Sequence, residues 1–558
     1  MPDSSPTNRI SGRNAFIELL RSEGVTEMFG NPGTTELPVM HALTDYPDMG
    51  YTLGLQESVV IAMADGYVRA SGKLAACNVH VAPGLGNAMG TLYTAYVSGT
   101  PLIVTAGQQE QGHGLTEPLL YAPLVPIASP VVKWATEVTR LADLPRTMHR
   151  AAKVAMTEPT GPVFISLPGD ILNDFGAIEI GEATRVDTKA RPSDETLRAL
   201  AEMLLAAEKP LIIAGHEIVT SDAFDEAGAF ADALGAPVYQ QTVVTGAHFP
   251  SEHPLFLGQP SRDQKQVRAL LEPYDTLICV GSDVLRMSIY SEVDPLPPHM
   301  KVIQIGQRDW EMGKNYAAAM AVRADVKETL KVLTPLLAEM GGEARAKRNA
   351  ATVAALADRN WTATKAKRIE AAKAKAGQTP MSADWLMMSL CAMLPDDVVV
   401  VDEGITTAAA LNTYLPYKDR YSYLGNVSGG IGWGIAAAVG AQIAQPERRV
   451  VAVIGDGSAM YSIQALWSAA SRKLPVVFVL CNNGGYRIIK QRLKAWHGND
   501  TFIGMDFKDP PIDATRLAEG FGLKAHRVDN GADFETRFAE AMAGSEPVLI
   551  EVMVEGQV

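Results

Sequence analysis

Cysteine is scarce in this chain, with 4 residues among 558. Cys77, Cys279, Cys391 and Cys481 stand far apart in apolar, strand-like surroundings. No spacing suggests a zinc site or a disulfide framework, so reduced core thiols in a cytoplasmic protein are expected. Long apolar runs are missing as well: no stretch approaches the ~20 residues that a membrane-spanning helix needs. Positive charge is outnumbered. With 49 Lys and Arg against 63 Asp and Glu, the formal charge is −14, which argues against nucleic acid or an anionic membrane as a partner. The opening residues MPDSSPTNR lack the apolar core of a signal peptide and read as a loose tail. What remains, 47% hydrophobic and 20% charged, is ordinary for a folded chain. Its length is too great for one core and suggests about three domains.

Residues 450–485 are the most informative stretch, VVAVIGDGSAMYSIQALWSAASRKLPVVFVLCNNGG. An apolar run at 450–454 ends in Gly455-Asp456-Gly457-Ser458, a helix-like segment follows, and a second apolar run at 476–480 stops at Asn482-Asn483. Strand, tight polar turn, helix and strand make the βαβ unit of a parallel sheet, which binds ligands where its strands end. Asp456 offers a hard anionic oxygen and Asn483 a neutral amide oxygen, a pair that suits Mg²⁺ while leaving room for waters and phosphate oxygens. The glycines let backbone N–H groups come close to a diphosphate. GDG by itself would read as an ordinary loop. Joined to NN one helix and one strand later, it reads as a cofactor site.

The beginning of the chain echoes its end. Gly86-Asn87-Ala88-Met89 precedes a helix and then Pro101-Leu102-Ile103-Val104, much as Gly457-Ser458-Ala459-Met460 precedes a helix and then Pro475-Val476-Val477-Phe478. Gly161-Pro162-Val163-Phe164-Ile165 and Glu546-Pro547-Val548-Leu549-Ile550 close the two regions alike, which predicts two domains of one fold. The first lacks the Asp and the Asn pair, so only the second is expected to hold metal. Between them, short apolar runs at 210–215, 236–240, 276–281 and 301–305 predict a third α/β unit, and the absence of GxGxxG assigns it no nucleotide. Residues 341–377, rich in Ala, Lys and Arg with interspersed acids, read as a solvated linker helix rather than a nucleic-acid patch.

GDGS followed at this distance by NN resembles the thiamin diphosphate signature, and the similarity runs through nearly the whole chain. The family it resembles is that of the benzoylformate decarboxylase-like 2-oxo-acid decarboxylases. That resemblance implies three doubly wound parallel α/β domains: pyrimidine-binding (1–182), central (190–340) and, after a linker (341–377), diphosphate-binding (378–558). It implies thiamin diphosphate and Mg²⁺ as cofactors, a small 2-oxo acid as substrate, and a homodimer as the minimum unit with a tetramer expected, because the first domain of one subunit faces the last domain of another.

The resemblance also assigns residues. Glu57, opening the segment ESVVIAMADGYVRASGK, corresponds to the glutamate that touches the pyrimidine ring; on residue grounds alone it would be an acid favoured by a helix N-terminus. His80 falls where the family has a histidine thought to help protonate intermediates. Thr34 falls where it has a hydroxyl near the substrate carboxylate, although a plain turn role suits Thr34 equally. Thr406 and Thr407 lie in the segment that binds the diphosphate. Gly429 lies where a backbone carbonyl holds the pyrimidine amine, and Ile431 where an aliphatic bends the cofactor, with a core aliphatic as the alternative. Gly455, Asp456, Gly457, Ser458, Asn483, Gly485 and Tyr486 complete the cofactor set, with the Gly485 carbonyl as third metal ligand beside Asp456 and Asn483. Where the family has a second histidine this chain has Ser288, and His113 is the candidate replacement. Ile488 and Arg492 argue against an aryl substrate and for a smaller or anionic 2-oxo acid. The expected reaction is non-oxidative decarboxylation to an aldehyde and CO₂. An acetohydroxyacid synthase-like carboligase, a flavin oxidase and a non-catalytic cofactor-binding protein are the alternatives.

Overall fold

Residues 9–558 are described by the structure, a computed structural model. The expected loose tail falls, but for Arg9, outside them. Apolar runs too short for helices form three parallel sheets of six strands each. In the first, the strands lie in the spatial order Gly50–Leu53, Glu27–Gly30, Ala75–Val79, Leu102–Gln108, Val163–Pro168, Trp134–Glu137. In the last, the order is Tyr423–Gly425, Val399–Glu403, Val450–Gly455, Val477–Asn482, Val548–Met553, Lys524–Val528. Numbered along the chain, both read 2-1-3-4-6-5, so the internal echo of the sequence is one topology used twice. The middle sheet is different. Its strands run Phe256–Gly258, Val238–Gln240, Pro210–Ala214, Thr276–Val280, Lys301–Gly306, Met320–Arg323, the order 3-2-1-4-5-6 of dinucleotide-binding folds.

Each sheet is covered on both faces. Along Leu102–Gln108, for example, Leu102, Val104 and Ala106 enter one core while Ile103 enters another. The first of these cores is shared between domains, because it also holds Val399, Val401, Val450, Ala452 and Ile454 of the last sheet. The helices Glu57–Ser71 and Gly434–Ala444 lie between the two sheets, and small side chains let their backbones nearly touch. A Cβ on Gly440 would overlap the Met63 carbonyl oxygen, and one on Gly66 would overlap the Ala437 backbone. First and last domains are thus packed through one close seam.

The region read as a solvated linker is only partly so. The helix Val326–Leu356 is broken at Gly342 (φ 58°, ψ −161°), and a second helix follows at Trp361–Lys373. Arg345 is buried, its Nε and Nη2 donating to the Leu234 carbonyl at 3.2 and 2.5 Å. A cation on the carbonyl end of the helix Phe224–Leu234 answers both its unpaired acceptors and its dipole, which explains the burial.

Candidate active site

Strand ends bring Asp456 and Asn483 together. Val450–Gly455 pairs with Val477–Asn482, with Gly455 opposite Cys481, so the residues after the two strands are neighbours. The polar turn expected at 455–458 is instead a helix start: Gly455 caps it with extended geometry and Asp456 is the first helical residue. The Asp456 carboxylate is 8% exposed. Its Oδ1 accepts from Gly457 N at 2.9 Å, and its Oδ2 accepts from Gly484 N at 2.9 Å and Gly485 N at 3.0 Å. Burial pushes this carboxyl up from its ordinary range, while the backbone N–H groups of Gly457, Gly485, Gly484 and Asn483 pull it down. Beside it, Asn483 Oδ1 is buried without a hydrogen-bond partner. A buried acceptor without a protein partner calls for a water or a cation, and the neighbouring carboxylate favours the cation. The donor set fits Mg²⁺, which takes few protein oxygens and keeps water and phosphate. The Gly485 carbonyl accepts from Arg487 N at 3.0 Å and keeps its second lone pair. Tyr486 stands edge-on to Phe507 with ring centroids 4.8 Å apart.

Around this corner lie the other sequence-assigned groups of the last domain. Gly457 and Ser458 are buried in the first turn of the helix Asp456–Ser462. Thr407 is buried with its hydroxyl donating to the Gly404 carbonyl at 3.0 Å, and Thr406 is half-buried. Gly429 is exposed and Ile431 half-buried, in the turn that enters the helix Gly434–Ala444. Ile488 and Arg492 lie half-buried on the helix Arg487–His497, where Arg492 is near enough to Arg262 for the two cations to repel.

The first domain builds a different set. Glu57 opens the helix Glu57–Ser71 and is 9% exposed, its Oε2 accepting from Asn87 Nδ2 at 3.0 Å. His80 follows the strand Ala75–Val79 and is the N-cap residue of the helix Val81–Ser98. Its Nδ1 lies 2.8 Å from Glu36 Oε2 and 3.2 Å from Thr35 Oγ1. A carboxylate at that distance assigns the proton to Nδ1 and leaves Nε2 as the acceptor. Glu36 is buried and also accepts from Gly33 N at 2.9 Å, Gly107 N at 2.7 Å and the Thr35 hydroxyl at 2.9 Å. Thr34 and the exposed His113 line one open cavity of about 600 Å³ together with Thr35, Gln108 and His41. Ser288 is exposed in the middle domain. Among the described residues, no hydrogen bond or ion pair joins Glu57, His80, Thr34, His113 or Ser288 to Asp456 or Asn483.

Two of these positioning residues escape a reading of the sequence. Glu36 sits two places after Thr34 in GTTELP, and a carboxylate beside a turn near a strand-end histidine was the available signal. Asn87, on the helix Val81–Ser98, stands in the sequence only as part of the GNAM echo, and nothing near it marks it as a partner of Glu57.

In the middle domain Glu217 and Arg308 line the crevice between Pro210–Ala214 and Thr276–Val280, where such sheets take nucleotides. Half-buried Glu217 accepts from Gln307 N at 2.6 Å and Arg308 N at 3.3 Å, and desolvation of its carboxyl pushes it up to about 7.

Parallel α/β domains in this order, with a carboxylate and an amide oxygen converging at adjacent strand ends, define a diphosphate-cofactor enzyme. Family models agree: residues 10–118 match the N-terminal TPP binding domain of thiamine pyrophosphate enzymes, 197–333 the central domain and 404–552 the C-terminal TPP binding domain. The chain is therefore a thiamin diphosphate-dependent enzyme of the 2-oxo-acid decarboxylase family. Among its relatives is the benzoylformate decarboxylase of Pseudomonas aeruginosa, 33% identical over 548 residues, 97% of this chain and 98% of that one. The acetolactate synthase isozyme 1 large subunit of Escherichia coli is 26% identical over 99% of this chain and 96% of its own. Among solved structures, the thiamine diphosphate-dependent 4-hydroxybenzoylformate decarboxylase of Rhodococcus jostii superposes with a TM-score of 0.85 at 32% identity, covering 98% of this chain and 100% of that chain.

Proposed function

We propose that this enzyme carries out the Mg²⁺-dependent, non-oxidative decarboxylation of a 2-oxo acid, releasing CO₂ and an aldehyde. The observation that supports it most is the partnerless Asn483 Oδ1 beside the Asp456 carboxylate. In this reading Asp456, Asn483 and the Gly485 carbonyl hold Mg²⁺. Backbone N–H groups of Gly457 and Ser458 and the hydroxyls of Thr406 and Thr407 hold the diphosphate. Gly455 and Tyr486 shape that pocket, and Gly429 and Ile431 face the rings. When bound, thiamin diphosphate supplies a carbon nucleophile for the 2-oxo carbon and a sink for the electrons that CO₂ leaves behind.

The chain supplies binding and proton handling. Glu57 shares a proton with a ring nitrogen, and Asn87 fixes the carboxylate that does so. His80, held by Glu36, presents Nε2 to take or return a proton at the reacting carbon. Thr34 and His113 receive the substrate carboxylate. Ile488 and Arg492, with Ser288 where the family has a second histidine, favour a small or anionic 2-oxo acid over an aryl one. The family resemblance, in which the first domain of one subunit faces the last domain of another, makes a homodimer the minimum unit and a tetramer the expected assembly. No helix among the described residues is long and apolar enough to cross a membrane, and the cytoplasm is the proposed location.

A panel of 2-oxo acids, offered with thiamin diphosphate and MgCl₂, tests the reading. One substrate should give CO₂ and aldehyde in equal amounts. No CO₂ from any of them, with the cofactor bound, overturns it. Likeness to acetolactate synthase supports a second reading, carboligation, in which a 2-hydroxy ketone replaces the aldehyde while CO₂ is still released.

A further inference from the structure

The turn 426–434, between the strand Tyr423–Gly425 and the helix Gly434–Ala444, is held in shape by side chains. Gly429 and Gly430 are exposed, and Gly429 and Gly432 have φ of 78° and 99°, conformations that glycine reaches readily but that restrict nothing. One of those side chains stands on the neighbouring strand. The Glu403 carboxylate, 3% exposed, accepts from Gly432 N at 3.2 Å and Gly434 N at 3.0 Å through Oε2. Through Oε1 it accepts from Trp433 N at 3.1 Å and Asn426 Nδ2 at 2.7 Å. Three consecutive backbone donors and an amide thus converge on one buried carboxylate. Burial lifts its carboxyl to about 7, and those four donors are what keep it from rising further.

The far side of the turn is pinned by a second buried carboxylate, from the first domain. Trp433 donates its indole N–H to Asp65 Oδ2 at 2.6 Å, and Asp65 also accepts from Thr100 Oγ1 at 2.5 Å and Ser98 Oγ at 3.2 Å. Arg69 pairs with Asp65 at 3.5 Å and lies 4.8 Å over the Trp433 ring. Ser428 meets Thr94, on the first-domain helix that carries Asn87, at 2.8 Å. Asn426 ties the loop to itself, its Nδ2 donating also to the Gly430 carbonyl at 2.6 Å and its Oδ1 accepting from Ser428 N at 3.1 Å.

We propose that Glu403 is a positioning residue that clamps the 429–434 backbone from the last domain while Asp65 anchors it from the first, and that cofactor affinity depends on this clamp. The second half rests on the reading that Gly429 and Ile431 face the cofactor rings. Glu403→Gln keeps the shape but turns an N–H₂ toward backbone donors, so at least one buried N–H loses its acceptor, a loss of about tenfold in an equilibrium.

The test has two arms on the full-length protein. In the cofactor-free protein, hydrogen–deuterium exchange of peptides covering 426–436 should speed up at least about tenfold in Glu403→Gln while distant strands keep their protection. Unchanged exchange in that segment overturns the clamp. In the second arm, titration with thiamin diphosphate in MgCl₂, followed by tryptophan fluorescence, should show affinity weakened about tenfold or more relative to wild type. Faster exchange with affinity within twofold of wild type overturns the link to the cofactor, whereas a wild-type protein that binds no thiamin diphosphate overturns the functional reading beneath it. If Glu403→Gln does not fold, Asn426→Ala at its half-buried site decides, with the same segment loosened and affinity down roughly threefold to tenfold; no change in either overturns the proposal.

Discussion

The first and last domains share a strand order and part company at the strand ends. After the third strand of the sheet, the first domain places His80 and the last places Asp456. After the fourth, the first ends in buried Gln108, whose side chain donates to the Ala122 carbonyl, while the last ends in Asn482 and Asn483 with an acceptor left open. In the proposed reading, one scaffold carries proton-handling groups in one copy and metal-holding groups in the other. Positions outside the carboxyl ends of parallel strands are free to change because the core beneath them does not depend on them.

Variants of the two domains should then fail in different ways. The largest effect is expected from Glu57→Gln: turnover falls on the order of 10²–10⁴-fold while thiamin diphosphate affinity stays within about threefold. Equal losses in both quantities would erase the distinction. Asn483→Ala should do the reverse, weakening Mg²⁺-dependent cofactor binding by roughly 10–100-fold, as calorimetric titration would read. Glu36→Gln frees the His80 ring without touching the metal corner, so turnover should drop about tenfold with cofactor affinity unaltered. Smallest for catalysis is Gly440→Ala at the seam between the domains. Its methyl must displace the Met63 backbone, costing about 1–3 kcal/mol, and should lower the melting temperature by a few degrees with activity per folded molecule kept.

How legible this was in the sequence follows from burial. Central strands such as Val450–Gly455 and Val477–Asn482 are buried on both faces and stand out as apolar runs. Edge strands do not. Lys524–Val528 reads KAHRV with only its last residue buried, and Trp134–Glu137 reads WATE with every residue half-exposed, so neither has a pattern to recognise. At the site, Asp456 and Asn483 were legible because one βαβ unit fixes their separation. The partners that orient the rest were not: Glu36 lies 44 residues from His80, Asn87 lies 30 from Glu57, and Glu403 meets a turn 29 residues on, contacts that exist only once the sheets assemble. The same holds for Arg345, whose sequence neighbourhood is a solvated helix and whose burial depends on a helix end more than a hundred residues earlier, at Leu234.

Mn²⁺, whose bound and free forms differ in electron paramagnetic resonance, offers the most direct test of the metal corner. With thiamin diphosphate present, the wild-type protein should bind one ion per chain and Asp456→Ala none at the same concentrations. One ion per chain in the variant, with wild-type affinity, would contradict the assignment of the metal to the ends of these two strands.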